Sequence, residues 1–180
     1  MLRYAAFLRA INVGGHTVRM DDLRRQFEAL GLGRVATLIA SGNVIFESNL
    51  TDRIALEERI EEALERWLGY EVATLVRSAA EVSAIAAFDP FPDVAPREGD
   101  TLHILFLREW ATPEAQTRVA AIARPQDLLR LHESELFWLR RGKMMDSGIA
   151  PQDWIAALGR GPNTARTANT VRKIAARLAG

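Results

Sequence analysis

The chain has 180 residues with 23 basic and 23 acidic side chains, and it contains no cysteine. Because the charges balance, the molecule as a whole offers no positive field for nucleic acid, and the lack of cysteine excludes disulfide scaffolds, thiol nucleophiles and cysteine-based zinc sites. No apolar run approaches the roughly 18 residues that span a bilayer, and the first residues do not resemble a signal peptide. We therefore expect a cytoplasmic globular protein with no cofactor and no membrane partner.

The first half of the sequence has the element order βαββαβ. Apolar residues alternate in its strands and recur at helical spacing in its helices, and Gly31 is a natural helix stop. Gly42 and Asn43 separate two β-rich runs and predict a two-residue type II′ hairpin. In the second helix an apolar stripe faces the sheet, while Glu57, Glu61 and the neighbouring glutamates are expected to face water. The predicted elements are strand 2–9, helix 20–30, strands 35–41 and 44–47, helix 52–68, strand 70–77 and helix 78–87.

Residues 89–100 form a connector that contains several prolines, and this pattern predicts a domain boundary. The second half then begins as the first did. Residues 103–108 are similar in sequence to residues 4–9, and a helix pattern follows each of these segments. The remaining predicted elements of the second half are strands 128–132 and 136–140 and helices 152–158 and about 165–178. The last helix stands where a fourth strand would complete the repeat.

These patterns predict an α+β fold of tandem ferredoxin-like βαββαβ repeats, also called α-β plaits, with extra C-terminal helices. The second copy is expected to be imperfect, because residues 142–148 are loop-like and no fourth strand is evident. The predicted domains are a first ferredoxin-like repeat at 1–88, the connector at 89–100, and a second repeat with the C-terminal helices at 101–180.

Topology places two turns of the first repeat side by side. In a βαββαβ unit with strand order 4-1-3-2, the ends of the first and second strands lie at the same edge of the sheet. The loop 9–16 and the hairpin tip 41–43 should therefore be neighbours. Glycines allow close backbone approach there, and short polar side chains supply donors and acceptors for a small polar or anionic ligand. The candidate ligand-binding residues at this edge are Arg9, Asn12, Gly14, Gly15, Ser41, Gly42 and Asn43.

The same residues also have a purely structural interpretation. The glycines could serve tight turns, and Asn12 and Asn43 could satisfy local backbone groups. A nucleotide phosphate loop is not indicated, because no Lys-Ser or Lys-Thr follows the glycines and because Asp21 and Asp22 occupy the first turn of the next helix. Two interpretations of this edge therefore stay open: the residues bind a ligand, or they only form tight turns.

The end of the chain is the one region with unbalanced charge, because only basic residues carry charge there. In the last predicted helix, Arg166, Lys173 and Arg177 form a basic face that could bind nucleic acid phosphates. Cations near a helix C-terminus also stabilise the helix by themselves through its dipole. Arg166 and Asn169 would complete the ligand site of the first repeat if this helix docks over it.

Enzymatic alternatives depend on few residues. His16, His103 and His132 are far apart in sequence and lack metal-ligand spacing, so no metal site is predicted. Ser41 could act as a nucleophile with His16 as its base, although no nucleophile elbow surrounds it. A structural or oligomeric role is the remaining class, and both a monomer and a homo-oligomer stay open because sheet edges can pair between copies.

Several segments of the sequence match one known pattern: Phe7-Leu8-Arg9-Ala10-Ile11-Asn12-Val13-Gly14-Gly15, Met20-x-x-Leu23-Arg24, Ser41-Gly42-Asn43-Val44, Asp89-Pro90-Phe91 and Thr164-x-Arg166-x-x-Asn169-Thr170-Val171. They resemble the signature of the domain of unknown function 1697 family, a family of uncharacterised bacterial proteins, over nearly the whole chain. The resemblance implies a duplicated ferredoxin-like fold with extra C-terminal helices, and it implies no established activity.

The sequence departs from this family pattern at three places. The family commonly has Gln where Ala40 stands, and it has Arg-Asn-Trp where Arg166, Thr167 and Ala168 stand. Residues 139–148 also lack the Ser-Lys pairing of the family's second half. If these positions form a shared site, the resemblance implies that the site is altered in this chain.

Overall fold

The computed structural model describes residues 1–9, 11–12, 17–38, 42–142 and 147–180. Within these residues the chain is a mixed α+β protein with two four-stranded antiparallel sheets and six helices, consistent with a duplicated βαββ unit. The strands are β1 Leu2–Leu8, β2 Gly33–Leu38, β3 Asn43–Ser48, β4 Thr74–Ser78, β5 Thr101–Leu107, β6 Asp127–His132, β7 Glu135–Arg140 and β8 Asn163–Thr167. The helices are α1 Met20–Ala29, α2 Arg53–Leu68, α3 Ala79–Ala87, α4 Pro113–Ile122, α5 Pro151–Leu158 and α6 Ala168–Ala179.

The chain divides into two compact units, each with its own sheet and its own apolar core. The first unit comprises Met1–Ala87 and Val171–Gly180, and the second comprises Phe88–Thr170. The end of the chain thus groups with its beginning, whereas the division predicted from the sequence follows chain order.

In the first unit β1 is a central strand, and the order of the sheet is β2-β3-β1-β4. Phe27 of α1 and Ile60 of α2 join Phe46 of β3 in one buried cluster. The rings of Phe27 and Phe46 lie 5.8 Å apart. Because full burial of such a side chain stabilises a fold by about 1.5–3 kcal/mol, the apolar stripes of α1 and α2 position both helices on the sheet.

Two glutamates of α2 bind the free edge of β4, so the prediction that the glutamates of this helix face water is wrong for Glu57 and Glu61. The other three, Glu58, Glu62 and Glu65, are exposed as predicted. Glu57 is completely buried and accepts a hydrogen bond from the Val76 N–H at 2.9 Å. Glu61 accepts one from the Thr74 N–H at 2.7 Å. In an antiparallel pair the N–H groups of alternate residues point away from the partner strand, and β4 is an edge strand. The carboxylates therefore satisfy backbone donors that would otherwise be open to another strand.

The predicted two-residue turn at Gly42 and Asn43 does not form, because Asn43 is the first residue of β3 and pairs with Leu38 of β2. The Asn43 side chain donates from Nδ2 to the Leu38 carbonyl at 3.0 Å, and the residue is only 1% exposed. Asn43 can be buried within the paired strands because its side-chain amide has a hydrogen-bond partner there.

The second unit contains the fourth strand that the sequence pattern did not indicate. β8 pairs antiparallel with β5, which gives the strand order β6-β7-β5-β8. The last helix was predicted to start too early: α6 begins only at Ala168, and the hydroxyl of Thr167 accepts a hydrogen bond from the Thr170 N–H at 3.3 Å. The strand was not recognised because its buried positions hold Thr164 and Arg166 instead of apolar side chains.

A buried carboxyl group positions the segment that leads into α5. Asp127 is completely buried and accepts hydrogen bonds from the indole N–H of Trp138 at 2.8 Å and the hydroxyl of Ser147 at 3.1 Å. The backbone N–H of Gly148 donates a third bond at 3.2 Å. These donors replace the hydration that burial removes, so Asp127 joins β6, β7 and the segment before α5.

His103 of β5 is expected to make the stability of the protein depend on pH. Its ring lies against Trp138, with ring centroids 5.3 Å apart, and its Nε2 has no hydrogen-bond partner among the described residues. Burial, and secondarily the positive charge of Arg140, lower the pKa of His103 from its ordinary value of 6.5. Because the unfolded chain then binds a proton more readily than the folded chain, we expect the free energy of unfolding to fall as the pH drops below about 6.5.

Urea denaturation at about pH 7.5 and about pH 5 measures this effect in the wild type and in His103→Gln. The wild type should lose more stability between the two pH values than the variant does, since the variant has no imidazole to protonate. Equal losses in the two proteins would show that His103 does not contribute.

Candidate functional site

The two turns that were predicted to be neighbours meet in the first unit. The Leu8 N–H donates to the Gly42 carbonyl at 2.8 Å, which joins the end of β1 to the start of β3. Gly42 has a φ of +74°, and a β-carbon there would lie 2.8 Å from Ile11 Cγ2 and 3.0 Å from Leu8 Cβ. These distances are shorter than carbon atoms tolerate, so the approach requires glycine. We call this place the Arg9 edge, and its described residues are Leu8, Arg9, Ile11, Asn12, Gly42 and Asn43.

A third segment, between α2 and β4, reaches the Arg9 edge. The Arg9 N–H donates to the Ala73 carbonyl at 2.8 Å. The Tyr70 hydroxyl donates to the Ile11 carbonyl at 3.4 Å. These bonds connect the residues after β1 to the residues before β4, so the edge is built from three separate segments of the first unit.

Asn12 and Asn43 bind the backbone of this edge. Asn12 Oδ1 accepts a hydrogen bond from the Val18 N–H at 2.6 Å, and Asn43 Nδ2 bonds to Leu38 as described above. Asn12 is half-buried and Asn43 is buried. The bonds agree with the structural interpretation of the two amides, in which they fix the local turns. Arg9, by contrast, exposes its side chain and supplies a positive charge at the edge.

Five residues that the sequence hypotheses name lie outside the described residues. They are Gly14, Gly15 and Ser41 of the predicted ligand site, Ala40 beside it, and His16. The hydrolase hypothesis, which pairs Ser41 with His16, therefore stays a prediction.

Arg166 is a buried residue of β8, not a member of a helix face. It belongs to the second unit and is 8% exposed. Its Nη1 donates to the Thr164 hydroxyl at 2.8 Å and to the Ala165 carbonyl at 2.7 Å, and burial lowers its pKa to about 10. Because a residue in a strand cannot share the face of the helix that follows, the predicted basic face of Arg166, Lys173 and Arg177 does not form.

The C-terminal helix α6 nevertheless exposes three cations, Arg172, Lys173 and Arg177. The guanidinium of Arg3 donates to two of the last carbonyls of this helix, at 2.5 and 3.1 Å. Cations at this end satisfy free carbonyl groups and interact favourably with the helix dipole. Asn169, the other candidate from the tail, is exposed in the first turn of α6.

Two buried arginines occupy equivalent strand positions, and the sequence patterns did not indicate that they are buried. Arg77 lies opposite Ala5 in the pairing of β4 with β1, and it is 1% exposed. Arg166 lies opposite Ile104 in the pairing of β8 with β5. Each arginine donates to the carbonyl of the residue before it. The sequence similarity between residues 4–9 and 103–108 could have identified the two arginines as equivalent, because it aligns the first half of the chain with the second.

The described residues offer hydrogen bonding and positive charge at the Arg9 edge. Within the described ranges there is no group of three or more His, Asp or Glu side chains placed to bind a metal ion. In those same ranges, none of the helices is long and apolar enough to cross a membrane.

Both the sequence and the fold resemble known proteins. The model of a family described as protein of unknown function (DUF1697) matches residues 1–137. Among solved structures, the conserved bacterial protein SP0830 from Streptococcus pneumoniae is similar, with 25% sequence identity and a TM-score of 0.78. The similarity covers 100% of this chain and 99% of that one. No match to the chain was found among curated proteins.

Proposed function

Because the chain belongs to the DUF1697 family, which is described as being of unknown function, we propose its function from the geometry of the Arg9 edge. The protein is a binding module for a small anionic ligand, which it binds where the β1–α1 loop meets the β2–β3 hairpin. It acts in the cytoplasm, since a chain without cysteine suits a reducing compartment. The observation that carries the proposal is the convergence of three backbone segments beside the exposed guanidinium of Arg9.

The backbone around Arg9 is fixed while its charged group faces solvent. The Arg9 N–H is bound to Ala73, and Gly42 packs against Ile11 and Leu8. A guanidinium group donates two parallel hydrogen bonds to a carboxylate or phosphate, and a fixed backbone lowers the entropy lost when it does so. Asn12 and Asn43 belong to this proposal as residues that fix the turns.

We also propose that each half of the chain is a ferredoxin-like βαββαβ repeat. The sheet orders β2-β3-β1-β4 and β6-β7-β5-β8 correspond strand by strand. In each half one helix follows the first strand, one follows the third, and one extra helix follows the fourth. The Arg9 edge then lies at the end of the central first strand of the first repeat.

A thermal-shift titration tests anion binding with the wild type, Arg9→Gln and the matched variant Arg66→Gln. Arg66 is also exposed, and it donates to the Glu62 carbonyl of its own helix, so its loss removes the same charge away from the edge. The compounds are inorganic phosphate, sulfate and citrate. A ligand that binds only the folded state raises the melting temperature. The wild type and Arg66→Gln should respond to the same compound, and Arg9→Gln should bind it about tenfold more weakly.

Two outcomes would contradict the proposal. If no compound stabilises the wild type, the protein is not a module for small anions. If all three proteins respond equally, the anion binds at a place other than the Arg9 edge.

A further inference from the structure

A cavity of about 250 Å³ opens in the second unit at the end of β5. One wall is the segment 107–112, which leads from β5 into α4, and another is the segment 157–163, which leads from α5 into β8. Arg118 and Leu131 also line it, and we call it the β5 cavity. Ligand pockets commonly measure roughly 300–1,000 Å³, so this cavity lies just below that range and suits only a compact molecule.

The lining of the β5 cavity is positively charged. Three arginines, Arg108, Arg118 and Arg160, line it against one acidic residue, Glu109. Arg118 is positioned by its Nε, which donates to the Ala157 carbonyl at 3.3 Å across the cavity wall. Guanidinium groups that line one concave surface attract an anion and bind its oxygens through paired N–H donors.

An exposed tryptophan lines the same cavity. Trp110 is 60% exposed, although large aromatic side chains are mostly buried in folded proteins. The apolar side chains of Leu107, Leu131 and Ala157 also line the cavity and pack in the core beneath it. An indole face beside apolar groups can stack on a planar ring, and the stacking would bury this exposed surface.

The β5 cavity lies at the position in the second unit that the Arg9 edge has in the first. Arg108 follows β5 as Arg9 follows β1. At both places the residue before the arginine donates its N–H to the turn of the neighbouring hairpin. Leu107 donates to the Ser134 carbonyl at 2.9 Å, and Leu8 donates to the Gly42 carbonyl at 2.8 Å. The lining residues of the cavity are nevertheless different from those of the Arg9 edge, and the cavity lies within the second unit alone.

We propose that the β5 cavity binds a small molecule in which a planar ring is joined to a phosphate or a carboxylate group. Trp110 stacks on the ring, and Arg108 and Arg160 bind the anionic group. Arg118 fixes the wall formed by the end of α5. This site does not depend on ligand binding at the Arg9 edge.

Isothermal titration of the full chain with four probes tests the site. AMP joins a ring to a phosphate and indole-3-acetate joins a ring to a carboxylate, whereas adenosine has only the ring and inorganic phosphate has only the anion. AMP or indole-3-acetate should bind at least about tenfold more tightly than adenosine or phosphate. Whichever of the two binds better identifies the anionic group.

Three variants locate the binding. Trp110→Ala and Arg160→Gln should each weaken the better ligand about tenfold, while Arg97→Gln, which changes an exposed arginine outside the cavity, should leave its affinity unchanged. Because Trp110 and Arg160 are exposed, their variants should melt within about 2 °C of the wild type, which shows that they are folded.

The proposal is overturned if the wild type binds neither AMP nor indole-3-acetate at millimolar concentration. It is also overturned if Trp110→Ala binds as tightly as Arg97→Gln. Loss of binding in Arg9→Gln with full binding in Trp110→Ala would assign the ligand to the Arg9 edge, and that result would equally exclude the β5 cavity.

Discussion

Replacement of Gly42 by alanine is expected to lower the free energy of unfolding by about 2–4 kcal/mol. A β-carbon at this position would lie within 3.0 Å of both Ile11 and Leu8. The φ of +74° adds strain, because side-chain-bearing residues rarely adopt it. Chemical denaturation of the purified protein measures the loss.

Gly69→Ala is the matched control for this prediction. Gly69 ends α2 with a φ of +78°, close to that of Gly42, but no atom lies within 4 Å of its β-carbon position. The control therefore has the backbone strain without the collision and should lose about 1 kcal/mol. If both variants lose the same stability, the close approach at the Arg9 edge is not what requires glycine.

Glu57→Ala is expected to lower the free energy of unfolding by about 3 kcal/mol. Its carboxylate is completely buried and accepts the Val76 N–H, so truncation leaves a buried donor without that partner and opens a cavity between α2 and β4. Glu57→Gln should lose less, because the amide oxygen has the same shape and can still accept the bond. Urea denaturation of both variants gives the comparison.

The neighbouring residue provides the control for Glu57. Glu58 is exposed on the same turn of α2, and its replacement by alanine should change stability by no more than about 0.5 kcal/mol. A loss in Glu58→Ala as large as that in Glu57→Ala would mean that general helix effects, and not the bond to β4, explain the result.

The sequence predicted the part of the candidate site that depends on topology. Strand order alone brings the loop after β1 to the β2–β3 hairpin, and the bond between Leu8 and Gly42 confirms that these two segments are neighbours. The use of each side chain was harder to predict. Asn12 and Asn43 had both a ligand-binding and a structural interpretation, and only the structure shows that they bond to Val18 and Leu38.

The elements that sequence reasoning missed are those in which polar residues occupy buried positions. β8 was read as helix because Thr164 and Arg166 stand where a strand pattern requires apolar residues. Glu57 was placed on a solvent-facing side for the same reason. Hydrophobic periodicity cannot identify a buried polar side chain, since its burial depends on a hydrogen-bond partner from another element.

The nucleic acid hypothesis for the tail is changed by the position of Arg166. The three exposed cations of α6 are Arg172, Lys173 and Arg177, and Arg166 is buried in the second unit. Binding through phosphate contacts would therefore have to rely on cations of α6 alone, and it would weaken steeply with salt. The Arg9 edge and the β5 cavity are better candidates, because each combines exposed positive charge with backbone segments that are held by hydrogen bonds.

The most direct test of the proposed function is a titration of isotope-labelled protein with inorganic phosphate and with AMP, followed by the backbone amide signals in two-dimensional NMR. The anion is expected to shift the amide signals of Arg9, Asn12 and Gly42, which surround the proposed contact, and these shifts should be absent in Arg9→Gln. Shifts confined to α6, or no shifts at millimolar anion, would contradict the claim that the Arg9 edge is a binding site.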